Sequence, residues 1–281
     1  MQFEPVNASI GATVTGVALN NLSPAEVDEV NAAWAKYGVL FFHDQEISPD
    51  QHVILAEQLG DIDINRFFAH IDDYEMIADV RKEASDELNI GGGWHTDHSY
   101  DPEPAKGSIL IARDVPPSGG DTRFLSTETA WRTLPDDLKA KVQNLEAVHS
   151  SEHIFGPDSD YAKQMGERFG NSSAVNTTTH PVVIAHPVTG NPVLYVNPAF
   201  TLGVVGLEPD ESKQLLDTLH THIGREEHSC QFSWSVGSVA IWDNRSTWHW
   251  ALNDYPGYRR QMHRITLAGD PLYAAKVALP A

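Results

Sequence analysis

Cysteine is almost missing from this 281-residue chain: Cys230 stands alone. An intramolecular disulfide is therefore impossible, and so is a closed, cysteine-rich zinc site. Basic residues are also scarce, with 19 Lys and Arg against 39 Asp and Glu, a net charge of −20. A field of that sign disfavours nucleic acid and anionic membrane, so an anionic ligand needs a local basic patch. No run approaches the roughly 20 apolar residues of a membrane span. The opening MQFEPVNASIGATVTG has neither a basic n-region nor an apolar h-region, and a cytoplasmic location is expected. GxGxxG and GxxxxGK[ST] are absent, which removes support for phosphate-cradling folds.

What remains is an ordinary globular composition, 41% hydrophobic and 21% charged. No repeat, low-complexity linker or charge block divides the chain, and one domain over residues 1–281 is expected. SPAEVDEVNAAWAKYG (23–38) predicts a helix, with a Ser23/Glu26 capping box, Pro24 in the first turn and Gly38 at the exit. SPDQHVILAEQLG (48–60) repeats that grammar. VLFFH between them reads as a buried strand. Strands are then predicted at 74–81, 107–114, 121–126, 181–187, 192–197, 230–235, 238–243 and 263–269, with helices near 126–144, 158–168 and 209–223. Many short strands separated by turns point to an antiparallel sandwich or barrel flanked by helices.

The stretch GGGWHTDHSYDPEP (91–104) concentrates candidate ligands. If WHTDH is extended, alternation sends His95 and Asp97 to one face and Thr96 and His98 elsewhere. Two His and one carboxylate on one face of an octahedral ion form the facial triad of non-haem Fe(II) oxygenases, so a distant third ligand is required. Alone, H-x-D is equally a solvated loop pair, because 14 His and many Asp make chance pairs common.

The surroundings add to this. WHTDHSYDPEPAKGSILIARDVPPSGGDTRFLS and IWDNRSTWHWALNDYPGYRRQMHRITLAGD resemble the two signature segments of the taurine dioxygenase family of Fe(II)- and 2-oxoglutarate-dependent oxygenases, which includes the aryloxyalkanoate herbicide dioxygenases. GATVTGVAL, VLFFHDQEIS and AHPVTGNPVLYVNPAF extend the resemblance, in order, over nearly the whole chain. It implies a double-stranded β-helix, or jelly-roll, core. It makes His95, Asp97 and His249 the Fe(II) ligands, with His263 in QMHRIT as the rival third ligand and His98 beside the metal rather than on it. The cosubstrates it implies are 2-oxoglutarate and O2. The far carboxylate of 2-oxoglutarate needs a planar bidentate donor, a task suited to arginine. The resemblance assigns it to Arg260 with the Thr122 hydroxyl; Arg259 is the alternative, separated by one residue of strand parity. Arg264 falls nearer the metal, facing either an anionic group of the substrate or the chelating end of 2-oxoglutarate.

The implied reaction hydroxylates a C–H bond of a small anionic substrate and releases succinate and CO2. Sulfonates such as taurine, aryloxyalkanoates and other carboxylates are the candidate classes. Sulfonate-using relatives place a His after the second helix and an Asn before the metal His. Here those positions align with Asn65 and Gly91, and His70 becomes the equivalent His only with a one-residue gap, which counts against taurine itself. VRKEASDELNIGGGWHTD and VHSSEHIFG resemble the aryloxyalkanoate-cleaving relatives. Phe155 and Phe200 match pocket-lining positions, and Trp94, Trp242, Trp248 and Trp250 read as core and wall. Glycines 91–93 form either a mobile loop or a tight turn. By resemblance a homodimer or homotetramer is expected. The competing readings are a metal-assisted hydrolase, which HTDH matches only superficially, and a non-enzymatic jelly-roll protein binding metal or 2-oxoglutarate.

Overall fold

Period-two alternation explains how two sheets close over one interior. The computed structural model describes residues 1–166 and 174–277. Its large sheet runs, edge to edge, through Gln2–Pro5, Ala12–Thr15, Val39–Phe42, Val239–Asp243, Gly107–Asp114, Arg260–Leu267, Tyr74–Lys82 and His70–Ile71, with Ile62–Asp63 also pairing Arg260–Leu267. Neighbours are antiparallel except Ala12–Thr15 and Val39–Phe42, which are parallel. A facing sheet is made of Ser229–Phe232, Thr122–Ser126 and Thr247–Ala251. Two smaller sheets complete the fold: Thr177–Pro181, Glu146–Ser150 and Thr201–Val204 in one, Val183–Ala185 and Pro192–Leu194 in the other.

On the large sheet, alternate residues Leu40, Phe42, Ile109, Ile111, Ile241, Ile265 and Leu267 form one buried cluster with Trp34, Leu55 and Leu59 of the first two helices. The residues between them, Val39, Phe41, Leu110, Ala112, Ala240, Trp242 and Met262, point the other way and pack on Phe124, Cys230 and Phe232 of the facing sheet. This is the jelly-roll interior. The outer side of the facing sheet, through Leu125 and Trp248, packs on Leu215, Leu216, Leu219 and Ile223 of the Pro209–Ile223 helix.

Helices Pro24–Tyr37 and Pro49–Leu59 both begin with a complete capping box, Ser23 with Glu26 and Ser48 with Gln51. Gly38 takes φ 72° at the first helix exit, a conformation that favours glycine. The single helix expected over 126–144 is instead two, Thr127–Thr133 and Asp136–Val142. Pro135 forces Leu134 into extended backbone (ψ 135°) and breaks the run. The strand expected over 181–187 likewise splits, Thr177–Pro181 pairing with one partner and Val183–Ala185 with another. The helix expected over 158–168 spans Asp160–Met165; residues 167 and 168 lie outside the described residues. Among the described residues no helix is long and apolar enough to cross a membrane.

Candidate metal centre and active site

His95 and His249 face each other as an isolated antiparallel bridge. His95 N donates to His249 O (3.1 Å) and His249 N to His95 O (2.8 Å), so directly opposed side chains leave the ladder on the same side. Asp97, two residues on, joins them. Its Oδ1 lies 3.7 Å from His95 Nε2 and its Oδ2 3.8 Å from His249 Nε2. One ligand atom from each residue can be chosen so that all lie within 4.8 Å of one another, a group that could hold a metal ion. The extended run assumed for WHTDH ends sooner than expected: Asp97 to Tyr100 turn, with His98 at φ 57°. The turn carries His98 away from the cluster.

The surroundings prepare these groups as ligands. His95 Nδ1 donates to Gly93 O (2.8 Å), which leaves Nε2 with its lone pair toward the cluster. Burial holds both imidazoles below their usual pKa; in His249 the neighbouring His95 adds to this. Burial alone would raise the Asp97 carboxyl, but Arg264 and the adjacent histidines outweigh it and hold the group well below the usual carboxylate range. Neutral imidazoles and an ionised carboxylate are the ligating forms. Ser108 Oγ donates to Asp97 Oδ2 (3.2 Å), and Arg264 Nη1 lies 3.3 Å from the same oxygen. Two imidazole nitrogens and one carboxylate suit a 2-His-1-carboxylate site for a non-haem Fe(II).

Strand parity separates the arginines. Arg260 and Arg264 lie on the interior face of Arg260–Leu267, whereas Arg259 joins Glu83 and Asp114 in a partly exposed ion-pair group (both 3.2 Å). His263 faces the helices, where its Nδ1 accepts from Arg113 Nε (3.1 Å), far from the metal cluster's side of the sheet. Arg260 donates through Nε to Gly120 O (3.1 Å) and through Nη2 to Thr122 Oγ1 (3.4 Å). It is 5% exposed, and burial pulls its pKa down. Among the described residues no carboxylate forms an ion pair with it. Arg264 Nε is buried without a hydrogen-bond partner among those residues.

A cavity of about 510 Å³ connects these groups. It is lined by His95, Asp97 and His249 at one place, Thr122 and Arg260 at another, and by Arg264. Phe67, Phe68, Tyr100, Ile154, Phe155 and Phe200 supply an apolar wall. Within it Phe67 stacks on Phe155 (centroids 4.2 Å apart) and Tyr100 meets Phe200 edge-on (4.9 Å). Asn65 and His98 also line it. Asn65 Oδ1 accepts from Phe67 N and Phe68 N, so its Nδ2 is the group 3.3 Å from His98 Nε2. His98 Nδ1 is then the protonated nitrogen, 3.0 Å from Asp63 Oδ2. His70 is not brought to the cavity: it is exposed, with Nε2 3.3 Å from Asn65 O. Gly91 is at φ +77°, and a Cβ there would meet His95 Cε1 at 3.2 Å. Gly91 O accepts from Ala251 N, and Asn89 Nδ2 donates to Ala251 O (2.9 Å), so this glycine segment is a turn stitched to the His249 strand.

Known proteins resemble this chain in sequence and fold. The family described as "Taurine catabolism dioxygenase TauD, TfdA family" matches residues 2–266. The chain belongs to this family. It is 34% identical to an alpha-ketoglutarate-dependent sulfate ester dioxygenase of Pseudomonas putida, over 96% of this chain and 90% of that one. It is 32% identical to an (S)-phenoxypropionate/alpha-ketoglutarate-dioxygenase of Sphingobium herbicidovorans, over 98% and 96% of the two chains. Among solved structures, a taurine dioxygenase from Burkholderia xenovorans superimposes with a TM-score of 0.83 at 35% identity, covering 100% of this chain and 95% of that one. AAD-2 in complex with Mn(II) and N-oxalylglycine superimposes with a TM-score of 0.80 at 28% identity, covering 97% and 99%.

In this member of the taurine dioxygenase family, sequence reasoning missed several groups that shape the site. Phe67, Phe68 and Tyr100 lie in the same two segments as Asn65 and His98, and the run NRFF was the available signal. Ser108 reaches Asp97 from GSILIARD, a segment that reads only as a strand. Trp234 donates from Nε1 to Thr122 Oγ1 (2.9 Å), and no motif marks it.

Proposed function

We propose that this chain is an Fe(II)- and 2-oxoglutarate-dependent dioxygenase. It hydroxylates a C–H bond of a small anionic substrate with a substantial apolar body, releasing succinate and CO2. One observation carries the reading. A 2-His-1-carboxylate cluster and a buried arginine that has no carboxylate partner among the described residues open onto one cavity. An unpaired buried guanidinium is costly, and an incoming dianion relieves that cost.

In this reading His95, Asp97 and His249 hold the iron, which when bound supplies the oxidative chemistry with O2. Arg260 and Thr122 receive the far carboxylate of 2-oxoglutarate and so fix the distance from that end to the metal. Arg264 orients Asp97 and presents positive charge beside the metal to an anionic group. Phe67, Phe68, Phe155 and Phe200 take the apolar body of the substrate and exclude water around the reacting carbon. Among the described residues that line the cavity Asp97 is the one carboxylate, and it is committed to the metal, so no acidic group is left there to receive an ammonium. This favours aryloxyalkanoates, sulfate esters and apolar sulfonates over taurine. The proposal extends to a single catalytic domain in a cytoplasmic homo-oligomer, a reading supported by family resemblance and by one buried, unpaired thiol at Cys230.

The test is succinate release from 2-oxoglutarate with Fe(II) and ascorbate, across sulfonates, alkyl sulfates, aryloxyalkanoates and simple carboxylates. Stimulation by anions with bulky apolar bodies is expected. Release stimulated by taurine above all others would overturn the substrate assignment, and no release with bound iron would overturn the activity.

A further inference from the structure

Thr122 presents a problem of hydrogen-bond direction. A hydroxyl has one hydrogen to give and two lone pairs to receive. The oxygen of Thr122 receives from Trp234 Nε1 at 2.9 Å and from Arg260 Nη2 at 3.4 Å. Indole and guanidinium nitrogens only donate, so neither bond can reverse. Both lone pairs are occupied, and the Thr122 hydrogen must find an acceptor elsewhere. No such acceptor is bonded to it among the described residues, and Thr122 lines the cavity.

We propose that Trp234 is a positioning residue: its indole N–H claims the Thr122 oxygen and so turns the hydroxyl hydrogen into the cavity, toward the carboxylate of 2-oxoglutarate. The inference rests on the proposed function, since it assumes that this end of the cavity receives that carboxylate. The indole is held firmly enough for the task. It meets Phe232 edge-on at 4.8 Å, and Phe232 stacks on Phe41 at 4.3 Å in the jelly-roll interior. The Arg260 guanidinium lies over the same indole at 5.8 Å, so one side chain contacts both groups that greet the carboxylate. Without the indole N–H, the Thr122 hydroxyl rotates among several settings, and binding must select the one that donates to the ligand.

The experiment is a calorimetric titration of 2-oxoglutarate into the Mn(II)-loaded protein, which reads binding without turnover. Trp234→Phe keeps an aromatic ring beside Arg260 and removes only the N–H. Binding weaker by about fivefold to tenfold is expected, the usual loss for one hydrogen bond in a charged network. In a Thr122→Val background the same change should cost nothing further, because the hydroxyl it directs is gone. Trp234→Leu, which also loses the ring, should bind more weakly than Trp234→Phe. Thermal unfolding of each variant establishes that it is folded. Wild-type affinity in Trp234→Phe would overturn the proposal. So would an equal loss in the Thr122→Val background, which would mark a merely structural role. Failure of the wild-type Mn(II) protein to bind 2-oxoglutarate would overturn the underlying functional reading instead.

Discussion

Arg245 and Arg260 are buried to nearly the same degree, 4% and 5% exposed, yet they are built differently. Arg245 donates through Nε to Asp243 Oδ1 (2.8 Å) and through Nη2 to Asp243 Oδ2 (2.6 Å), and His186 Nε2 lies 3.1 Å from the latter oxygen. Burial alone would lower its pKa, but Asp243 reverses that and raises it. Among the described residues Arg260 has only a carbonyl and a hydroxyl to bond, and burial lowers its pKa. The first arginine completes a fixed turn between the strands Val239–Asp243 and Thr247–Ala251, and so helps place His249. The second leaves its charge uncompensated beside a cavity. Burial does not distinguish a structural arginine from a ligand-binding one; the identity of its partner does.

The contrast can be broken at several points. The largest effect is expected from Asp97→Ala, which removes a metal ligand and gives Arg264 the unpaired state of Arg260. Iron-stimulated succinate release should fall to the level of the metal-free protein, and retained turnover would remove Asp97 from the metal site. Arg245→Met should destabilise the fold by about 3–5 kcal/mol in chemical denaturation, because it deprives the buried Asp243 carboxylate of its bidentate guanidinium partner. A change below about 1 kcal/mol would show that this pair is dispensable. Arg260→Met should do the reverse, leaving the unliganded protein as stable as before or more so. It should weaken 2-oxoglutarate binding by about 2–5 kcal/mol, the loss typical of a buried charge pair. Unchanged affinity would transfer the carboxylate role to Arg264.

Acid sharpens the same comparison. His52 and His149 are pushed down to about 3 by burial. A depressed folded-state value gives stability that is whole above the unfolded value, near 6.5, and is lost as pH falls toward 3. For Asp243 burial acts upward, but Arg245 outweighs it and holds the carboxyl well below its usual range. Its contribution is therefore whole above about pH 4 and is lost only below that. The unfolding free energy should thus fall in two stages, and an Asp243→Asn, Arg245→Met double variant should keep the first and diminish the second. A wild-type second stage in that variant would place it on other carboxylates. The smallest effect is expected at Gly91. Gly91→Ala, at φ +77° and against His95, should cost about 1–2 kcal/mol of stability and weaken metal binding.

Much of this was legible in the residues. Both capping boxes announce their helices, and the short apolar runs in GSILIARD and VLFFH predict strands at Gly107–Asp114 and Val39–Phe42. HTDH marks a candidate ligand pair, but it is the resemblance of the two signature segments, not the spacing alone, that names His249 and, on one strand, Arg260 and Arg264. Parity on that strand separates Arg260 from Arg259 only once the pairing is known. Short strands such as Ala12–Thr15 and Ile62–Asp63 escape, because a few residues are too few to show a period. Trp234 and Ser108 escape for another reason: their roles are single contacts made across the sheets, and no local pattern encodes a contact with a distant residue.

The His95–His249 bridge joins two positions separated by more than half the chain. An ion held across that rung would act as a clasp between two distant segments, gripped by the native chain and not by the denatured one, where bringing these ligands together carries a loop-closure cost. Loading the site and closing the fold become one equilibrium, so metal supply would set how long the protein survives as well as whether it turns over.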